Sequence, residues 1–345
     1  MKFSTIILLF LFFCASGVNA QKCNCATNLD FIIQKVEVNY SGFNDKVTAE
    51  TKKAYERLKR KTRRQASKEV SSEKCATLLA EWLKTFRDGH LYLSSNNKAA
   101  ISQGPETSDY PSMTRLDDQT TLLLLPSFEV KYIKPIDSLV AIFNSNATRY
   151  LIIDIRGNGG GSDRSYSKLL PLLYTKPFEV HGVEFLASAD NTASFEALLK
   201  EDLPADTKKK ITELVDGLKA HPGQFVLLGK EKHIVSFEHQ LDSPKRIAII
   251  QDQHCASAAE QFLLYAQQSD KVTTFGVSNS KGVLDYANVN ELLLPCLPYS
   301  LGIPSSRSKR LPQFSVDKSG IAPQVRLPRD ERDVISVIKR YLSKS

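Results

Sequence analysis

The chain has 345 residues, of which 42% are hydrophobic and 24% charged, and a net charge of +8. That size allows a substantial core in one large domain, or one domain with a small companion. The basic excess concentrates in "KRKTRR" at 59–64. No aromatic residues interleave the run, so it reads as a solvated helix face and no nucleic-acid partner is expected.

Residues 1–20 stand apart from the rest. Lys2, the apolar run "IILLFLFFCASG" and the small-x-small pattern Val18-Asn19-Ala20 read as a secretory signal peptide cleaved near Ala20. The run is short for a membrane span, so a retained anchor is the lesser alternative. The mature chain is expected to be exported, periplasmic or extracellular, with no stable membrane span. Its net charge would be +7, with Cys23, Cys25, Cys75, Cys255 and Cys296 remaining. Export permits disulfides, and Cys75 is expected to pair with Cys23 or Cys25. No metal-ligand spacing of His and Cys occurs, so neither metal nor cofactor is expected.

Residues 26–90 carry helical patterns, within an N-terminal helical region over 21–100. Cys75, Leu78, Leu79, Trp82, Leu83 and Phe86 form one stripe of an amphipathic helix that "RDGH" ends, with Gly89 as the breaker. Residues 95–118 are polar and loop-like. The apolar runs at 120–128, 150–157 and 246–253 lack strict alternation, as strands buried on both faces do. Helical patterns follow the first two, "IDSLVAIFNSN" and "SKLLPLLYT". This rhythm predicts an α/β core with mostly parallel strands over 118–345. A charged helical insertion spans about 185–240, its centre at 195–222 being either a lid or a surface decoration.

Two strand ends carry chemistry. "DIRGNGGG" at 154–161 places glycines directly after a strand, where bare amides approach a ligand. It lacks the lysine-serine pair or spaced glycines of a phosphate loop, which favours oxyanion binding over phosphate. A plain tight turn is the alternative. Ser257 opens a helix just beyond the third strand. With Glu260 it forms a capping-box pattern, so a cap and a nucleophile are both open from these residues alone. As a nucleophile it would have the Ala258 amide beside it.

"YLIIDIRGNGGG", "IIQDQHCASAAEQF" and "FSVDKSGIAPQVRL", in that order, resemble the S41 family of serine peptidases, over about 86–328. The resemblance implies a crotonase/ClpP-like α/β core and a peptide or protein substrate. It implies Ser257 as nucleophile and an oxyanion hole from Ala258 with Gly159 or Gly160. The interval from His90 to the first core strand is too short for the PDZ domain of the tail-specific branch, so the chain looks like the PDZ-less branch. Two bases are open. The tricorn-like pattern implies His90 of "RDGHLYL" with Asp317 of "SVDKSGIAP" as the orienting acid. The tail-specific pattern implies Lys281, although "TFGVSNSKG" departs from that motif. A lysine base would need burial, and an imidazole already titrates near neutrality, which favours a Ser257–His90–Asp317 triad. Capping or turn roles for His90 and Asp317, and a solvated Lys281, are the plain alternatives. Gln324 departs from the family's usual aspartate. His254 and Cys255 precede the serine closely enough to line the site. The expectation is an exported serine endopeptidase. A lipid- or ligand-binding module on the same fold is the rival, and a crotonase-type acyl-CoA enzyme conflicts with export.

Overall fold

The structure, a computed structural model, describes residues 24–96 and 110–344. The expected signal peptide and much of the expected 95–118 loop lie outside them.

Four helices come first: α1 (Cys25–Asn39), α2 (Phe43–Lys46), α3 (Lys52–Ala66) and α4 (Ser72–Lys84). Asn24 caps α1 by accepting from the Thr27 amide, and Ser71 caps α4 by accepting from the Lys74 amide. The predicted stripe of α4 is buried at Cys75, Leu79, Trp82, Leu83 and Phe86. Cys25 and Cys75 form a disulfide that staples the start of α1 to α4, and Cys296 is disulfide-bonded too. Gly89 does not break α4, which ends at Lys84, and it is Arg87 that takes the left-handed conformation, at φ 51°. Gly89 is needed for another reason: a Cβ there would collide with the Val283 side chain.

Next come β1 (Tyr92–Ser95), β2 (Ser112–Arg115), β3 (Thr120–Leu124), α5 (Ile133–Ser145) and β4 (Tyr150–Asp154). The pattern at "SKLLPLLYT" yields only one helical turn, α6 (Leu170–Leu173). Pro171 supplies no amide to extend it, and Tyr174 leaves at ψ 126°. Strands β5 (Phe178–His181) and β6 (Val183–Leu186) precede α7 (Ala189–Leu198) and α8 (Ala205–Ala220), and β7 (Phe225–Leu227) and β8 (Lys232–Val235) follow them. The remainder is β9 (Arg246–Gln251), α9 (Ala258–Ala266), β10 (Val272–Gly276), β11 (Tyr286–Leu293), β12 (Tyr299–Ser308), β13 (Val325–Arg326) and α10 (Val334–Ser343).

The chain is therefore mixed α/β. A six-stranded sheet runs β13-β10-β9-β4-β3-β2. Its pairs are parallel except β2 with β3. The three apolar runs are adjacent as β3, β4 and β9, with Leu151, Ile152, Ile153, Ile247 and Ile249 fully buried, because helices cover both faces. A second sheet centres on β12, which pairs with β1, β11 and β6. Helices α1, α3 and α4 bury Leu29, Ile32, Trp82 and Leu83 against Leu301 and Ile303 of β12. The segment expected as an insertion, about 185–240, joins this sheet through β6 and β7. Phe185 of β6 faces Ser306 of β12, and Phe195, Leu214 and Leu218 pack beneath it. Asp190 of α7 accepts from Lys35 Nζ at 2.6 Å and Asn39 Nδ2 at 2.7 Å on α1.

Candidate active site

The adjacency of β4 and β9 brings their carboxyl ends together, the usual location of a site in such sheets. Beyond β9, residues 256–259 make a β-turn closed by the Ala259 N–H donating to the Ala256 carbonyl at 3.0 Å. Ser257 occupies its first central position at φ 55°, ψ −117°. That geometry belongs to type II′ turns and favours glycine, so a serine there is held under strain.

The Ser257/Glu260 pair is in place, with Glu260 Oε2 accepting the Ser257 N–H at 3.0 Å. The Glu260 N–H donates to the Ser257 carbonyl at 2.8 Å and also faces the Ser257 side chain, which completes the box. A hydroxyl that faces one N–H keeps its proton and a second lone pair, so the box holds the backbone without excluding chemistry at Oγ. The Ala258 N–H, at the start of α9, has no acceptor among the described residues.

The glycine loop packs against this turn. A Cβ on Gly160 would lie 2.6 Å from the Ala256 carbonyl oxygen, 2.9 Å from Ser257 Cβ and 3.0 Å from the Ala258 nitrogen. Only glycine permits that approach, at φ 96°. Asn158 builds the loop and is fully buried. Its Oδ1 accepts the Gly160 N–H at 2.9 Å, its Nδ2 donates to the Leu125 carbonyl at 2.9 Å, and its own carbonyl accepts the Ala256 N–H at 3.0 Å. The Gly160 amide is thus occupied internally. Gly159, exposed and without an acceptor for its N–H among the described residues, is the loop's available donor.

His90 follows the end of α4. Its backbone N–H donates to Asp88 Oδ1 at 2.8 Å, and its Nδ1 lies 2.6 Å from the Tyr286 carbonyl oxygen. A carbonyl only accepts, so Nδ1 carries the proton and Nε2 is left as the basic nitrogen. Glu260 connects this side of the site to Ser257. Its buried carboxylate also accepts from Ser280 Oγ at 2.5 Å, Gly282 N–H at 2.7 Å and Val283 N–H at 2.9 Å, and Val283 is the residue against which Gly89 packs.

The expected contact between Asp317 and His90 does not form. Asp317 Oδ1 accepts the Leu284 and Asp285 amides at 2.8 and 2.7 Å, and its Oδ2 is buried without a partner. Burial, resisted by the Asp285 amide and reinforced by the charges of Asp285 and Asp88, pushes its pKa up to about 7. The Tyr286 carbonyl takes over the orienting position at Nδ1. Asp88, buried beneath the Tyr40 hydroxyl at 2.8 Å, is the carboxyl in electrostatic contact with His90, and burial raises its pKa. Lys281 donates its backbone N–H to the Cys255 carbonyl at 2.8 Å, but its side chain is exposed and lacks the burial that a lysine base needs. Cys255 is buried, its thiol donating to the Ile155 carbonyl at 3.0 Å, and burial drives its pKa well up, so it is packing rather than a second nucleophile. His254 is exposed.

A cavity of about 740 Å³ lies beyond Tyr286 and Asp317, lined also by Lys46, Arg87, Arg307 and Lys318. Sequence reasoning missed Asn158, Asp88 and the Tyr286 carbonyl. The first two had a local signal, because each carboxyl or amide oxygen accepts the backbone N–H two residues on, the Asx-turn habit of these side chains. The third is a main-chain atom on a distant strand and had none. Among the described residues no His, Cys, Asp and Glu group could hold a metal ion, and no helix is long and apolar enough to cross a membrane.

The model of peptidase family S41 matches residues 119–326. No curated protein is significantly similar to the chain. Solved structures share its fold at low identity. Mature CPAF in complex with lactacystin is 12% identical with a TM-score of 0.63, the alignment covering 93% of this chain and 97% of that one. A candidate peptidase from Parabacteroides merdae is 14% identical with a TM-score of 0.60, over 93% and 97%. A lipoprotein from Streptococcus agalactiae is 13% identical with a TM-score of 0.55, over 98% and 99%.

Proposed function

The chain belongs to peptidase family S41, and we propose that it is an exported serine endopeptidase acting through an acyl-enzyme on Ser257. The run of parallel pairs through β3, β4, β9 and β10 supports reading its core as crotonase/ClpP-like. Ser257 Oγ attacks the scissile carbonyl while His90 Nε2 takes its proton. The new C–O bond pushes the carbonyl electrons onto oxygen, where the Ala258 and Gly159 amides receive the charge. Collapse expels the amine, which leaves with the proton from His90, and water activated by the same nitrogen then releases the acid product. The Tyr286 carbonyl fixes the imidazole tautomer, and Asp88 and Asp317 shape the field around it. The Cys25–Cys75 disulfide supports export, since such bonds persist in oxidising compartments.

One observation carries this reading: a strained turn presents the Ser257 hydroxyl next to the Ala258 amide, which has no acceptor among the described residues, with the glycine loop packed against it at Gly160. The test offers the secreted chain a panel of unstructured peptides and a fluorophosphonate probe. Cleavage and labelling that both vanish in Ser257→Ala are expected. A wild-type chain that cleaves nothing and resists the probe, while carrying a co-purified lipid, would replace the peptidase by a binding module.

A further inference from the structure

The basic run sits in α3 (Lys52–Ala66), and the fold divides its charges into two sets. Lys59 pairs with Glu37 at 2.8 Å and Glu56 at 2.9 Å, and Arg63 pairs with Asp30 at 2.7 Å, so these two are neutralised on the side facing α1. Lys53, Arg57, Arg60, Lys61 and Arg64 are all exposed, and none forms an ion pair among the described residues. At 3.6 residues per turn they fall within an arc of about 100° and extend roughly 17 Å along the helix. Tyr55, Thr62 and Ala66, the buried residues of α3, lie on the opposite side.

This row is unfavourable for the helix alone. Lys53 with Arg57, Arg57 with Arg60 and Lys61, and Arg64 with Arg60 and Lys61 are like charges three or four residues apart, which repel. Only Lys61 reaches the cleft between α3 and α4, where Glu69 and Glu81 also lie, and it pairs with neither. No aromatic side chain shares the row to stack on bases, and no large apolar one to enter a bilayer. What the row complements is a narrow line of closely spaced anions. We propose that the outer face of α3 is a binding surface for a linear polyanionic polysaccharide, whose charges are sulfates or uronate carboxylates.

The test measures binding of the full chain to heparin oligosaccharides and to polygalacturonate at about 0.15 M salt, where weak surface electrostatics are screened. The two polymers separate sulfate from carboxylate recognition. The combined variant Arg57→Gln, Arg60→Gln, Lys61→Gln, Arg64→Gln is expected to weaken binding about tenfold or more, by loss of charge contacts. It should unfold at the same or a higher temperature because repulsion is removed, and the pairs Arg57→Gln/Arg60→Gln and Lys61→Gln/Arg64→Gln should each show part of the loss. The control Lys200→Gln, Lys208→Gln, Lys209→Gln, Lys210→Gln removes the same charge from other exposed sites and should retain binding. Equal losses in both combined variants would reduce the effect to net charge and overturn the proposal. Absence of binding, or tighter binding to duplex DNA or to phosphatidylserine–phosphatidylcholine vesicles, would overturn it as well.

Discussion

Ser257 is held at φ 55° and ψ −117° although its side chain prefers neither value. Placing the hydroxyl beside the Ala258 amide requires that turn, so the strain belongs to the site. Ser257→Gly is therefore expected to be inactive yet more stable than Ser257→Ala by about 1 kcal/mol, since glycine occupies the conformation freely. Thermal unfolding of the two inactive variants checks this. Glu260 holds the same turn from behind through hydrogen bonds to Ser257, Ser280, Gly282 and Val283. Glu260→Gln turns an N–H₂ toward buried donors, so it should cost about 1–3 kcal/mol for each donor left unsatisfied. It should also lower kcat more than it changes KM. Asp317 gives a pH signature. Its pKa is near the ordinary carboxylate value of about 4 in the unfolded chain and is raised to about 7 when folded. The folded state binds the extra proton between those values, so this group's stability contribution is full below pH about 4 and is lost as pH rises through about 7. Asp317→Asn should flatten the stability profile in that window, and an unchanged slope would contradict the assignment.

At the scale of elements, strands were easier to read than the contacts between them. The runs at 120–128, 150–157 and 246–253 became β3, β4 and β9 because burial on both faces leaves an uninterrupted apolar signal. The α4 stripe was legible for the same reason, its period being set by what it packs against. The helix after β4 shrank to one turn at Pro171. The orienting group at His90 was not legible, since the Tyr286 carbonyl reaches it from 196 residues away and any residue type supplies a carbonyl. Nor could the sequence choose between Gly159 and Gly160, because that depends on which amide Asn158 Oδ1 captures. Of the two partners that the sequence allows Cys75, Cys23 and Cys25, it joins Cys25 across 50 residues. Reducing this bond or introducing Cys75→Ser should lower stability by about 2–5 kcal/mol, measurable by denaturant unfolding.

Across the whole molecule, the candidate nucleophile and base come from different parts of the chain. Ser257 lies beyond β9 of the six-stranded sheet, at the start of α9, whereas His90 follows the helices packed on the β12 sheet. The 280–286 segment links the two: Gly282 and Val283 bind Glu260, which holds the Ser257 amide, Val283 packs on Gly89, and Tyr286 holds His90. The same segment carries Lys281 with its side chain turned to solvent. The identity of the base is therefore the point on which the mechanism turns. The most direct measurement compares the rate of fluorophosphonate labelling of Ser257 in the wild type, His90→Ala and Lys281→Ala at neutral pH. Loss of a general base slows such a reaction by about 10²–10⁴-fold, and the expected result is that loss in His90→Ala with near-wild-type labelling in Lys281→Ala. Abolished labelling in Lys281→Ala with His90→Ala unaffected would contradict it.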